Sequence, residues 1–166
     1  MSFFRHRLLG LPALALLIAA MGCSSADDSA STVVPSPDAK VTKLCQNLDK
    51  RLPQKVDGLG RKDPEPRSTL TAGWGSPAII LRCGVERPPK MIDPKVAKGA
   101  DPKAIPGFVN GVGWLMEKQD EGSTRFTTAQ RLVYVEVTVP EGRDTSGMLV
   151  DLAPAIKKAI PKGIAD

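Results

Sequence analysis

Five side chains in this sequence are of the types that recognise sugars or peptide carboxylates: Trp74, Arg82, Asn110, Trp114 and Arg125. Trp74 stands between Gly73 and Gly75, Arg82 falls on the apolar run that follows, and Arg125 directly precedes Phe126. An indole offers a flat apolar face for stacking, and a guanidinium forks onto a carboxylate. Together these are the parts of a ligand-binding site for a glycan or a wall stem peptide. The competing reading is that both tryptophans are core. Aromatic residues make up only 4% of the chain, so those few are needed inside.

Acid–base chemistry has weaker material. Glu117, Asp120 and Glu121 bunch at one turn. A retaining glycosidase needs two carboxyls about 5 Å apart, and an inverting one somewhat more. Adjacent acids in a polar turn are ordinarily solvated. Glu136 is a lone acid within an apolar strand, to be partnered by Arg82, by Arg131 or by water. No catalytic residue, metal ligand or cofactor-binding residue is assigned.

The single histidine, His6, lies in a segment that reads as removable. Without it, Ser-His-Asp and Cys-His nucleophile activation and His-ligated zinc drop out. Removing residues 1–22 takes away Arg5 and Arg7 and no acid. That leaves 21 Lys+Arg against 18 Asp+Glu, a net charge of +3. The balance is too mild for a nucleic-acid binder, so no nucleic acid is expected as a partner.

Residues 1–22 have the parts of an export signal: basic Arg5, His6 and Arg7, an apolar run from Leu8 to Ala20, then small residues. The run is too short to span a bilayer, which takes about 20 apolar residues. Ala20-Met21-Gly22-Cys23-Ser24 resembles the lipobox of a bacterial lipoprotein, in which the cysteine carries lipid and becomes the mature N-terminus. One acyl chain holds only marginally, whereas two give stable anchoring. The expected address is therefore the cell membrane, lipid-anchored through Cys23 on the extracytoplasmic face.

An even pair then remains, Cys45 and Cys83. In an oxidising compartment its default reading is a disulfide. Two free thiols or a redox pair are the alternatives, without a CxxC spacing to support them.

Residues 23–38 are Ser, Ala, Asp and Pro with little to bury, and read as a flexible tether. Residues 39–166 are enough for one modest core. Ser36-Pro37-Asp38 is a helix start, with Val41, Leu44, Cys45, Leu48 and Leu52 on one helical face. Residues 54–76 read as loop, leading into a strand over 77–85. Residues 86–106, with five prolines and four lysines, read as a long basic surface loop.

Strands follow at Phe108 to Lys118, with Asn110-Gly111 as turn or bulge, at Thr124 to Thr128, and at Arg131 to Val139. In the last, Val133, Val135, Val137 and Val139 share one face. Met148-Leu149-Val150 reads as a short strand or an exposed docking edge. A final helix carries Leu152, Ile156 and Ile160, with Pro154 in its first turn near a cap at Asp151. The expected fold is a small single α+β domain: a mostly antiparallel sheet of about four strands, with helices packed on one face.

Four segments, taken in order, resemble a known family: Thr71-Ala72-Gly73-Trp74-Gly75-Ser76-Pro77-Ala78-Ile79, Leu81-Arg82-Cys83-Gly84-Val85, Val109-Asn110-Gly111-Val112 and Tyr134-Val135-Glu136-Val137-Thr138-Val139-Pro140. They are similar to the actinobacterial family called "domain of unknown function 3515", over about Leu44 to Pro161. The resemblance implies exported, membrane-attached domains with the same cysteine pair, and carries no activity or catalytic residue. The expected function is a non-catalytic envelope lipoprotein that binds a cell-wall fragment or an envelope protein. The alternative is a wall-polymer hydrolase or transferase using Asp/Glu chemistry.

Overall fold

A computed structural model describes residues 29–165. Cys23 and the segment 1–22 therefore lie outside the described residues. The chain forms helix α1 (Ala39–Asp49), a short hairpin of β1 (Lys55–Val56) and β2 (Leu59–Gly60), then β3 (Thr71–Trp74) and β4 (Ile79–Cys83). After a 3-10 turn at Pro89–Ile92 come α2 (Pro94–Ala97), β5 (Ala104–Val109), β6 (Val112–Lys118), β7 (Thr124–Ala129), β8 (Val135–Val139) and α3 (Ser146–Ala159).

The architecture is α+β, and the main sheet has six strands rather than about four, in the order β3-β4-β8-β7-β6-β5. Every neighbouring pair is antiparallel. Two segments account for the extra strands. Residues 71–85 fold back on themselves about Gly75–Ala78, pairing Trp74 with Ile79. The proline-rich stretch ends in β5, an edge strand, which is where Pro106 is tolerated because half of an edge's backbone groups face outward. Asn110 and Gly111 have φ of 48° and 78°. Positive φ at both positions is what a two-residue hairpin turn requires, so the turn joins β5 to β6 and is no bulge within one strand.

Alternation along the strands makes one face of the sheet the core. Ile79, Leu81, Cys83, Val135, Val137 and Val139 are all buried on it. Helices α1 and α3 cover this face with Leu48, Met148, Leu152 and Ile156. Cys45 of α1 is bonded to Cys83 of β4, with 5.6 Å between their Cα atoms. Closing a loop of 38 residues contributes about 4 kcal/mol in the chain-entropy account. Only part of the helix content lies on that face. Short α2 sits on the other side, where Val96 packs on Ala104 and Leu115.

Two boundaries differ from expectation. The cap of α1 is Asp38, whose carboxylate accepts from Val41 N at 2.9 Å, so Ser36 and Pro37 precede the helix. Helix α3 starts at Ser146 and holds Pro154 in its interior. An interior proline costs about 3 kcal/mol. The added turns bury Met148 and Leu149, each worth about 1.5–3 kcal/mol, which offsets it. Met148 and Leu149 are therefore helix core rather than strand, and Val150, on the same helix, is 49% exposed.

The composition of 23–38 predicts a tether, yet its described part is laid on the domain. Glu65 N donates to Ala30 O at 2.8 Å, and Thr32 N donates to Glu65 O at 3.0 Å. Pro37 packs against Gly84, where a Cβ would stand 2.6 Å from its ring.

Candidate functional site

The second face of the sheet is polar at its centre. Register places Arg82 of β4 opposite Glu136 of β8, Glu136 opposite Thr127 of β7, and Arg125 opposite Glu117 of β6. These residues alternate with the buried apolar ones along each strand, so Arg82, Glu136 and Thr127 form one cross-strand row and Arg125 and Glu117 the next, on the side away from α1 and α3. Cross-strand opposite charges stabilise a pair of strands modestly.

The two ion pairs on this face are unequal. Arg125 grips Glu117 with two nitrogens: Nε donates to Oε2 at 3.2 Å, and Nη2 lies 3.1 Å from Oε1. The Glu117 side chain is only 5% exposed, so the fork holds a buried charge. Arg82 meets Glu136 at 3.5 Å between Nε and Oε1, without hydrogen-bond geometry. Its guanidinium thus has donors to spare. Between them Thr127 Oγ1 is fully buried without a partner.

Over these rows lies the start of the proline-rich segment. Arg82, Arg125 and Glu136 form the floor of a cleft of about 290 Å³, and Glu86, Arg87, Pro88 and Pro89 form its opposite wall. The segment is partly ordered. Asp93 caps α2 through Lys95 N, Lys90 pairs with Asp101, and Lys103 Nζ donates to Asp120 at 2.8 Å. Its role is to hold the wall of the cleft over the sheet.

Of the five residues singled out as ligand-binding candidates, Arg82 and Arg125 are brought together. Trp74 is on β3, fully buried, with Nε1 donating to Pro53 O at 3.0 Å. The Arg61 guanidinium lies 5.3 Å over its ring and is itself held by Asp49 and Asp63. Trp114 is also core, edge-on to Phe126 at 6.4 Å. Neither ring presents a face to a ligand here. Asn110 sits at the hairpin tip, its Oδ1 3.5 Å from Lys157 Nζ.

The acidic turn is separated likewise. Glu117 is buried under Arg125, Asp120 faces Lys103, and Glu121 accepts from Ser123 at 2.8 Å. The residues that sequence reasoning did not connect to a site are Glu86 and Arg87. They lie in a proline-flanked stretch with no periodicity to give a face.

Arg131 is buried for a different purpose. Its Nη1 donates to Ile160 O and its Nη2 to Gly111 O, each at 3.0 Å, tying the end of α3 to the β5–β6 turn. Desolvation pulls its pKa below the ordinary arginine value.

Among the described residues, no group of three or more His, Cys, Asp or Glu is placed to hold a metal ion. No described helix is long and apolar enough to cross a membrane. A family model described as "Protein of unknown function (DUF3515)" matches residues 8–164, and the chain belongs to that family. No curated protein and no solved structure matches it.

Proposed function

We propose that this is an exported lipoprotein, held at the extracytoplasmic face of the cell membrane through Cys23. Its domain binds, without catalysis, a carboxylate-bearing fragment of the cell wall. The address is supported by the signal-like residues 1–22 and the lipobox-like Ala20-Met21-Gly22-Cys23. The binding role is carried by one observation: in the cleft, Arg82 stands beside Glu136 with its hydrogen bonds unspent, while neighbouring Arg125 is consumed by Glu117. A carboxylate is the acceptor that fits a free guanidinium fork, and Glu136 beside it can take the donor of a peptide N–H or ammonium.

The test is thermal unfolding of the chain from Ser24 to Asp166, which keeps every described residue, against wall precursors, glycans and stem peptides. A native-state ligand at a hundredfold excess over Kd stabilises by about 2.7 kcal/mol. A rise with carboxylate-bearing ligands, lost in Arg82→Ala, is the expected result. A flat response across the panel overturns the wall-fragment reading and leaves an envelope protein as partner, to be sought by crosslinking. Glu86 and Glu136 both line the cleft, so the hydrolase or transferase alternative has its own check. It requires turnover of a wall polymer that Glu136→Gln abolishes while the fold is kept.

A further inference from the structure

The one buried arginine among the described residues is Arg131, 4% exposed. Arg61, Arg82 and Arg125 are less buried, and each is paired with a carboxylate. Arg131 forms no ion pair among the described residues, and its described hydrogen bonds go to the neutral carbonyls of Ile160 and Gly111. Those carbonyls take two of a guanidinium's five N–H donors and offset none of its charge. A charge withdrawn from water is ordinarily paired. This one lacks its counter-ion.

Arg131 lines a small cavity of about 200 Å³ beside the β5–β6 turn, with no residue in common with the cleft over Arg82. Lys162 is the second cation on the lining, and the lining holds no Asp or Glu. Lys162 is set beside Arg131 by backbone pairing. Leu132 N donates to Pro161 O at 3.1 Å, and Gly163 N donates to Gln130 O at 3.2 Å. Gln130 also lines the cavity and takes φ of 57°, a left-handed conformation that costs a residue with a side chain about 1 kcal/mol or more. Strain of this kind collects at ligand sites. Phe108 completes the lining at 69% exposure. Its ring lies against Gly113, where a Cβ would stand 3.2 Å from Cε1.

We propose that this cavity is a binding site for a phosphoryl group, with the oxyanion between Arg131 and Lys162 and the carbon body of its ester against Phe108. Two cations on a lining without an acid call for two negative charges. A phosphate monoester carries about −1.5 to −2 at pH 7, whereas a carboxylate carries one. Arginine forks onto phosphate oxygens, and lysine adds a point charge. The cavity is smaller than the roughly 300–1,000 Å³ of ordinary ligand clefts, so it takes a head group rather than a whole ligand. The remainder of the ligand would cover Phe108. This site is separate from the carboxylate cleft, and a stem-peptide carboxylate on Arg82 leaves it empty.

The experiment is titration of the Ser24–Asp166 chain at pH 7 and constant ionic strength with phenyl phosphate, inorganic phosphate and benzoate. It is followed by calorimetry and by the NMR signal of the Arg131 Nε–Hε group, assigned through its backbone. Phenyl phosphate is expected to bind one per chain and to move the Arg131 signal in a saturable way. Benzoate has the ring and a single charge, and is expected to bind about tenfold more weakly, the worth of one charged hydrogen bond. Two variants at exposed positions separate the parts of the site. Lys162→Ala is expected to weaken both phosphates about tenfold. Phe108→Ala is expected to weaken phenyl phosphate to the level of inorganic phosphate and to leave inorganic phosphate unchanged. Thermal unfolding of each variant checks the fold. Phenyl phosphate binding more tightly than inorganic phosphate identifies an ester as the occupant, and equal affinity identifies free phosphate. Absence of saturable phosphate binding overturns the proposal, as does binding that leaves the Arg131 signal in place or that Lys162→Ala does not weaken. Benzoate binding as tightly as phenyl phosphate also overturns it, because the ring alone would then explain the affinity.

Discussion

Arg82 and Arg125 stand two strands apart on one face of the sheet and do different work. Arg125 neutralises a carboxylate that is almost wholly buried, and its removal strands that charge. Because Arg125 itself is 32% exposed, the full penalty for breaking a buried pair does not apply. Arg125→Ala is expected to lower stability by about 2–3 kcal/mol. Arg82 forms one long contact from a part-exposed position, and Arg82→Ala is expected to cost less than about 1 kcal/mol. Urea unfolding of the two variants measures the difference, and equal losses would mean that Arg82 is a structural residue rather than a binding one. Arg131 makes a sharper case still. Arg131→Met leaves the carbonyls of Ile160 and Gly111 without their donor, for a loss of about 3 kcal/mol. Arg67→Ala, at a surface pair 3.7 Å apart, serves as the control with no measurable change.

At the scale of elements, the proline-rich segment is pinned by charges at its far end. The hydrogen bond from Lys90 holds the Asp101 carboxyl below the ordinary aspartate range, helped by the backbone of Lys103. The hydrogen bond from Lys103 does the same to Asp120, and Asp120 in turn raises Lys103. A carboxyl held low contributes above its unfolded pKa and loses that contribution as pH falls through its folded value. A lysine held high contributes below its unfolded pKa and loses it as pH rises through its folded value. The charges therefore pin the segment fully between about pH 4 and about pH 10, the unfolded values, and release it only as pH falls through the depressed carboxyl values or rises through the raised lysine value. Protection factors over 94–105, each taken against the intrinsic exchange rate at its own pH, should be high at pH 7 and lower once acid has protonated Asp101 and Asp120. Equal protection at both would show that packing of Val96 on Leu115, and not charge, holds the wall.

The same scale shows what the sequence could say. Helix α1, the valine alternation of β8 and the cysteine pair were all legible, because each follows from period or from chemistry that does not depend on neighbours. Strand β5 was not, because Pro106 and Gly107 contradict a strand everywhere except at an edge. Pro154 carries a strong local signal for a short α3, which tertiary burial of Met148 overrides. In the site, the type of residue was legible and its partner was not. Arg82 was one of the partners open to Glu136, and register selects it over Arg131 and assigns Glu117 to Arg125. Trp74 could be read two ways, because glycines beside a tryptophan resemble an exposed loop, and the core reading from the scarcity of aromatics is the one the structure bears out. Here Gly73 is needed because a Cβ would stand 2.5 Å from Lys62 O.

For the whole molecule, the docked strap changes the geometry of the proposed anchoring. From Cys23 to Ala30, where the chain joins the domain, an extended chain spans at most about 25 Å. A lipidated Cys23 would therefore hold the domain close to the bilayer. Cys23→Ser is expected to move the protein from the membrane to the soluble fraction, and its persistence in the membrane would count against the lipid anchor. Reducing Cys45–Cys83, or replacing both with alanine, is expected to remove about 4 kcal/mol from the folded domain without shifting that partition.

The most direct measurement on the proposed function is the NMR spectrum of the arginine Nε–Hε groups of the Ser24–Asp166 chain, recorded while a stem peptide with a free carboxylate is added. The Arg82 signal, identified by its loss in Arg82→Lys, is predicted to move in a saturable way, while those of Arg61 and Arg131, committed to the core, stay in place. No movement at Arg82, or movement confined to surface arginines such as Arg67, would contradict the assignment of a carboxylate site to this cleft.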